Sequence, residues 1–362
     1  MSKGHLPLVQ NDQTGSVSPP LVTNSTPTPA ANLSPAAKAL RAAQVIVISS
    51  VTFTFISYWR TAAVVLCDLA STAYYIGAIV ESAIGKAAPW FIVGVLLFSY
   101  GMRSVYIESS SLFVRGGVYR VVKEALGGFV AKLSVSALLF DYILTGPISG
   151  VAAGQYIVGL GLDAVSSRYF GVHLEEATVL AIQNWGAVVI ACATTLYFFR
   201  QNLLGMHESS DKALKIMFAT TIMALVILVW AGVTLAIRGS VNPIPSWHPD
   251  LHAKLNPATG LTEDPLGFLR YFPSVAGPLR NVSHWFGIVG FLGLVVAFGH
   301  SILAMSGEET LAQVYREVES PKLLNFKKAA FIVFVYSLLL TGIVSFLAVM
   351  MIKDDLRMTK YK

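Results

Sequence analysis

Several apolar runs in this chain exceed the roughly 18 residues that mark a membrane-crossing helix, and polar stretches separate them. Composition agrees. Of 362 residues, 54% are hydrophobic and 13% charged, a charged share about half that of a soluble domain. A soluble enzyme, a disulfide scaffold and a disordered chain are thereby excluded, and the fold class is an all-α polytopic membrane protein. The formal net charge of +6 does not point to nucleic acid, because the basic residues sit in short loops between spans, where they set topology. Cys67 and Cys192 both fall inside expected spans and indicate neither a disulfide nor a metal site.

Residues 1–40 are rich in Ser, Thr, Pro and Asn without an apolar period, and read as a disordered tail. Residues 41–61 contain the run Val45 to Ile56, which comes too late and lacks the cleavage pattern of a signal peptide. Ser49, Ser50, Thr52 and Thr54 interrupt it, so it reads as an interfacial amphipathic lead-in ending at Trp59-Arg60. Residues 62–237 are expected to hold five spans: Ala62 to Ile84, Trp90 to Ile107, Phe129 to Leu160, Leu180 to Phe199, and Ile216 to Ile237. A long Pro-rich loop follows over residues 238–283, and residues 284–352 supply two more spans, His284 to Met305 and Ala329 to Ile352. Residues 353–362 read as a polar tail.

Charge sets the expected orientation. Arg115, Arg120 and Lys123 follow span two, Arg200, Lys212 and Lys215 follow span four, and Arg316, Lys322, Lys327 and Lys328 follow span six. All fall on one side, which puts the N-terminus in the cytoplasm and the 238–283 loop outside, in a plasma (inner) membrane. A retinal protein needs a Schiff-base lysine in its last helix, and Ala329 to Ile352 contains none.

The polar residues inside the spans carry the functional information. Asp68 lies in span one and Asp141 well inside span three, and no lysine or arginine stands out at equal depth. A carboxylate there costs about 2.5–3.5 kcal/mol on insertion scales, so it faces a cavity, a cation or a partner. Both acids lie among hydroxyls and phenols, a pattern that fits a cation or proton site; the alternative is that each caps a broken helix. Span six ends irregularly at Ser306-Gly307-Glu308-Glu309, a poor membrane helix whose break exposes backbone groups. No nucleophile–base pair, metal constellation or phosphate loop suggests an enzyme.

Five segments in register carry a resemblance: Asp141-Tyr142 with Thr145, Arg115-Gly116-Gly117-Val118-Tyr119, Asn202-Leu203-Leu204-Gly205, Ser306 to Glu309, and Glu317-Val318-Glu319-Ser320-Pro321-Lys322. Together they resemble permeases of the amino acid/polyamine/organocation (APC) superfamily. Asp68 with Tyr75, and Asp141-Tyr142 with Thr145, are similar to the cation-site residues of KimA-type potassium–proton symporters. The resemblance implies a LeuT-like five-plus-five inverted repeat with spans one and six broken at mid-membrane, here truncated after about seven helices. It implies a substrate or cation site at Asp68, Ala70, Ser71, Thr72, Tyr75, Asp141, Tyr142, Thr145, Ser306 and Gly307, with Asp141 and Asp68 as proton-coupling residues. No cofactor is implied beyond a coupling ion, H+.

The implied function is proton-coupled uptake of amino acids or small organic cations by alternating access. A potassium–proton symporter is the alternative, and a truncated non-transporting sensor or subunit a further one. Asp68 suits either substrate, by pairing with an amine or by coordinating a bare cation. The partners are the lipid bilayer and the small solute. His300 reads as a packing residue rather than a proton shuttle. Lys212 and Lys215 read as snorkelling to the interface, and Tyr106, Trp185 and Trp285 as belt aromatics.

Overall fold

The structure, a computed structural model, describes residues 55–113, 117–165, 175–203, 205–255 and 262–359. The expected tail over residues 1–40 and most of the lead-in lie outside them, as do Arg115, Gly116 and Leu204. Thirteen helices follow one another in the described residues: α1 Tyr58–Leu69, α2 Ile76–Ile84, α3 Ala88–Leu112, α4 Gly117–Leu126, α5 Gly128–Asp163, α6 Glu176–Leu203, α7 Met206–Arg238, α8 Pro273–Arg280, α9 Ile288–Ser301, α10 Thr310–Val314, α11 Lys322–Ser337, α12 Val344–Met351 and α13 Asp354–Thr359. Strands β1, Lys254–Leu255, and β2, Thr262–Glu263, pair antiparallel in the long loop.

Six segments among the described residues are long and apolar enough to cross a membrane: Ile76–Leu112, Gly128–Asp163, Thr178–Leu203, Glu208–Arg238, Ile288–Glu317 and Lys322–Met351. The expected first span is not among them as one helix, because it is divided. α1 ends at Leu69, a 3-10 turn runs over Ala70–Tyr74, and α2 resumes at Ile76. The Thr72 hydroxyl donates to the Leu69 carbonyl at 2.7 Å, a local bond that competes with regular helical pairing. Span six is divided in the same way. α9 tightens into a 3-10 turn over Ile302–Met305, and the chain turns at Gly307 before α10 begins. Gly307 takes φ +95°, a region that residues with a Cβ rarely adopt.

The two breaks touch. A Cβ on Gly307 would stand 2.8 Å from the Leu69 amide nitrogen and 3.0 Å from Asp68 Cγ. Glycine is therefore required twice at this position, by the backbone angle and by the close approach. Buried apolar residues gather on either side of the breaks in two separate clusters. One holds Ala62, Leu66, Leu311, Tyr315, Phe326 and Val333, and the other Ile76, Val80, Ile92, Val95, Leu251 and Ala297. Polar groups occupy the level between them.

Spans three and four, α5 and α6, form a tight hairpin. Its seam is lined by small residues, as membrane helices need for close approach: a Cβ on Gly154 would lie 2.6 Å from the Ala187 carbonyl oxygen. Span seven is continuous but carries a π-helical stretch over Leu338–Ile343 between α11 and α12.

Three expectations are corrected at the ends of elements. The lead-in does not extend to residue 61, since Ile56 pairs with Val318 as an isolated parallel bridge and α1 already begins at Tyr58. The bridge is made by the Ile56 amide donating to the Glu317 carbonyl at 2.8 Å and the Glu319 amide donating to the Ile56 carbonyl at 3.1 Å. The polar tail contains α13, whose Arg357 is buried and forks onto Glu81 of α2, with Nε 2.9 Å from both carboxylate oxygens. The long loop, expected only as a Pro-rich connection, is folded. It carries α8, and its Asp250 amide donates to the Ile84 carbonyl at 2.9 Å while Lys254 Nζ reaches the Ala83 carbonyl at 3.1 Å.

Candidate functional site

The two broken spans bring their polar residues to one place. Asp68, in the last turn of α1, accepts a hydrogen bond from the Thr310 hydroxyl at the start of α10, 2.7 Å away. The same threonine lies within hydrogen-bonding reach of the Tyr142 hydroxyl on α5. Asp141, one residue earlier, is near enough to Asp68 for the two carboxyls to act on each other. The Thr145 hydroxyl donates to Asp141 Oδ1 at 3.5 Å across one turn of α5.

Glu309 completes the group. Both Asp68 and Asp141 act electrostatically on its carboxyl, and the backbone amides of Glu309 and Gly307 face it. Its Oε1 is nonetheless buried without a hydrogen-bond partner, an arrangement that leaves a strong acceptor unused. The Tyr106 hydroxyl on α3 lies within electrostatic range of Glu308, Glu309 and Tyr142. Three carboxyls and four hydroxyls, from four spans, thus lie within hydrogen-bonding or electrostatic range of one another.

The neighbouring acid faces elsewhere. Glu308, 1% exposed, is forked by Arg103 of α3, 2% exposed, with Nε 2.6 Å from Oε2 and Nη2 against Oε1. The Arg103 guanidinium also lies over the Phe334 ring, 5.2 Å from its centroid. This is a correction, because a basic residue does stand deep in the spans. Tyr106 is a second correction: it faces the acid cluster rather than a belt, three residues from Arg103 and on the same face of α3.

The remaining expected residues divide. Asp68, Asp141, Tyr142 and Thr145 come together, and Gly307 packs against the first of them. Ser306 donates its amide to the Leu303 carbonyl at 3.0 Å, and Glu308 and Thr310 donate theirs to Met305 and Gly307 at 3.2 Å each. Thr72 spends its hydroxyl on Leu69. Ala70 and Ser71 lie in the 3-10 turn that breaks span one. Among the described residues, no side-chain hydrogen bond or ring contact joins Tyr75 to the cluster. The physical reason is rotation: each residue of a 3-10 turn advances about 120° instead of about 100°, so Tyr75 stands roughly 80° from the face of Asp68 instead of the roughly 20° of a regular helix.

Glu308, Glu309, Arg103, Tyr106 and Thr310 are therefore the residues that sequence reasoning passed over. The tandem acids after Gly307 were visible, and one arginine inside an apolar run was the available sign of their partner. Elsewhere, His300 Nε2 lies 2.6 Å from the Pro265 carbonyl, a packing role. Lys215 pairs with Asp211 at 2.8 Å, and Lys212 stands over the Tyr197 ring, so neither approaches the cluster. The described residues contain no group of three or more His, Cys, Asp or Glu placed to hold a metal ion.

Helices interrupted at depth, with polar side chains gathered at the interruptions, define a class: integral membrane proteins that bind and pass small polar solutes. The family model described as "Amino acid permease" matches residues 56–359, and the chain belongs to that family. It is also similar to the potassium transporter KimA of Bacillus subtilis (strain 168), 26% identical over 249 residues, which is 62% of this chain and 37% of that protein. The chain therefore spans well under two thirds of the length of this relative. No solved structure matches it.

Proposed function

We propose that the protein is an APC-superfamily secondary transporter that couples proton movement to uptake of a monovalent cation, potassium first, by alternating access. The observation that carries this reading is that the Asp68, Asp141 and Glu309 carboxyls act electrostatically on one another beside the Thr310, Tyr142 and Tyr106 hydroxyls at two touching helix breaks, without forming a closed metal cage among the described residues. Carboxylates that share a site repel one another and favour a proton or a cation among them. Hard oxygen donors suit an alkali ion, which needs a shell of several oxygens to replace water. The likeness to a potassium transporter supports the same choice.

Amino acids or small organic cations, the first expectation from the sequence, become the second reading. The family's description favours them, and Asp68 suits an amine. Against them, the Ser306, Glu308 and Thr310 amides already serve carbonyls at 3.0–3.2 Å, so a substrate carboxylate would have to displace those bonds beside three acids. In this reading the spans follow a five-plus-five inverted repeat, spans one to five forming the first unit. The N-terminus is cytoplasmic in the plasma membrane, and Asp141 with Asp68 carries the coupling proton.

The test is thermal stabilisation of the purified protein by potassium, rubidium, and a panel of amino acids and their decarboxylated amines. Stabilisation by the alkali cations alone is expected. A response to amino acids with none to potassium or rubidium refutes the cation reading.

A further inference from the structure

Glu308 and Glu309 are adjacent in sequence, equally acidic and opposite in environment. Glu308 is clamped by a buried arginine, whereas Glu309 faces Asp68 and Asp141 with a buried, unpartnered oxygen. The arginine is itself incompletely satisfied, because Arg103 Nη1 is buried without a hydrogen-bond partner. One guanidinium with a spare donor and one carboxylate with a spare acceptor thus stand on either side of a single residue, Glu308. Tyr106 lies within electrostatic range of both glutamates.

We propose that the Arg103–Glu308 pair is a positioning device for the neighbouring site: Glu308 holds the guanidinium away from Glu309, so that the acid cluster stays open to a substrate cation. The inference rests on the cation reading above and deepens it. Without Glu308, the buried guanidinium is a charge in search of a carboxylate, and Glu309, the next residue along the chain, carries a buried oxygen without a partner. Arg103 would then occupy the site as an internal cation. Arg103 and Glu308 touch no substrate in this scheme; they set what the ligand residues present.

The charge logic predicts an unusual order of effects. Removing Glu308 alone is worse for cation binding than removing both partners. Rubidium binding to the purified protein is measured alongside the unfolding midpoint, for Glu308→Gln, Arg103→Gln/Glu308→Gln, Asp68→Asn and Glu309→Gln. Glu308→Gln is expected to raise the rubidium Kd about 10-fold or more, since a full charge enters the site. The double variant is expected to return to within about 3-fold of the wild type.

A folded Glu308→Gln variant with wild-type Kd, while Asp68→Asn and Glu309→Gln abolish binding, overturns this inference and leaves the cation reading standing. Wild-type rubidium binding by Asp68→Asn and Glu309→Gln overturns the cation reading, and the inference with it. Where Glu308→Gln does not fold, the double variant decides alone: rubidium binding within about 3-fold of the wild type supports the proposal, and loss of binding by the folded double variant refutes it.

Discussion

Gly307→Ala puts the contact between the two broken spans to a quantitative test. At φ +95° a residue with a Cβ is strained, at about 1–3 kcal/mol. The added methyl would also stand 2.8 Å from the Leu69 nitrogen, 3.0 Å from Asp68 Cγ and 3.1 Å from Leu69 Cα. Two of these three atoms are backbone, so no rotamer change relieves the clash, and overpacking adds about 1–3 kcal/mol. The sum is roughly 2–6 kcal/mol, and it falls where Asp68 is held. Gly232→Ala in α7 is the internal control. Its Cβ would meet nothing within 4 Å, and the change is expected to be neutral or to stabilise by up to about 1 kcal/mol. Helical circular dichroism through thermal unfolding in detergent, with rubidium binding on the folded protein, separates the two. A Gly307→Ala protein that unfolds at the same midpoint as Gly232→Ala, and binds rubidium as the wild type does, would refute the claim that the breaks are in contact.

Arg357→Met leaves Glu81 buried without its fork and is expected to cost about 3–5 kcal/mol; the double variant with Glu81→Leu should recover most of that loss in the same unfolding assay. The Asp354 carboxyl, outside the spans, is held below the ordinary carboxylate range, first by its hydrogen bond from Lys86 and then, against the opposing effect of its slight burial, by Arg357. Its contribution is therefore present above the unfolded value and lost as pH falls through the lower folded one, so Asp354→Asn should flatten the acid side of an unfolding-midpoint profile; an unchanged profile counts against the contact. Gly154→Val should force α5 from α6, since its Cβ would stand 2.6 Å from the Ala187 oxygen, and appear as a lower midpoint. Asp141→Asn should abolish pH-driven accumulation in proteoliposomes with folding near normal, and accumulation that survives removes Asp141 from the coupling role.

The apolar runs and the interruption of span six were legible in the sequence because each has a local cause, whereas the break in span one came only from the resemblance. Length and hydropathy mark a span, and a glycine followed by acids marks the break at Gly307. What escaped was pairing at a distance. Arg103 lies inside a run that remains apolar on average, so a window that averages over about 18 residues absorbs it; only Glu308, 205 positions on, gives it meaning. Arg357 looked like part of a polar tail, yet its partner Glu81 lies 276 positions earlier. Tyr75 stands apart from the cluster for the opposite reason. Its seven-residue spacing from Asp68 suits a regular helix, and the 3-10 turn at Ala70–Tyr74 changes the rotation without changing the count. Patterns that depend on one helix geometry stop being readable where that geometry is abandoned, and in this chain it is abandoned at the site.

The two buried Arg–Glu pairs explain why a chain with interrupted spans can hold its halves in place. An interruption in a membrane helix frees backbone groups and removes the rigidity that a continuous helix supplies. Here each interrupted span has one half pinned by a forked guanidinium: the second half of span one by Arg357 on Glu81, and the break of span six by Arg103 on Glu308. Both arginines come from elements outside the interrupted span, α13 and α3, so the clamps connect rather than merely cap. A buried pair of this kind adds little net stability, but it penalises every arrangement that separates its members. Of the three acids, Glu309 adjoins one clamp directly, and Asp68 is tied to the same break by its hydrogen bond from Thr310. On the cation reading proposed above, such a site needs mutual repulsion among its ligands together with a frame that limits their moving apart.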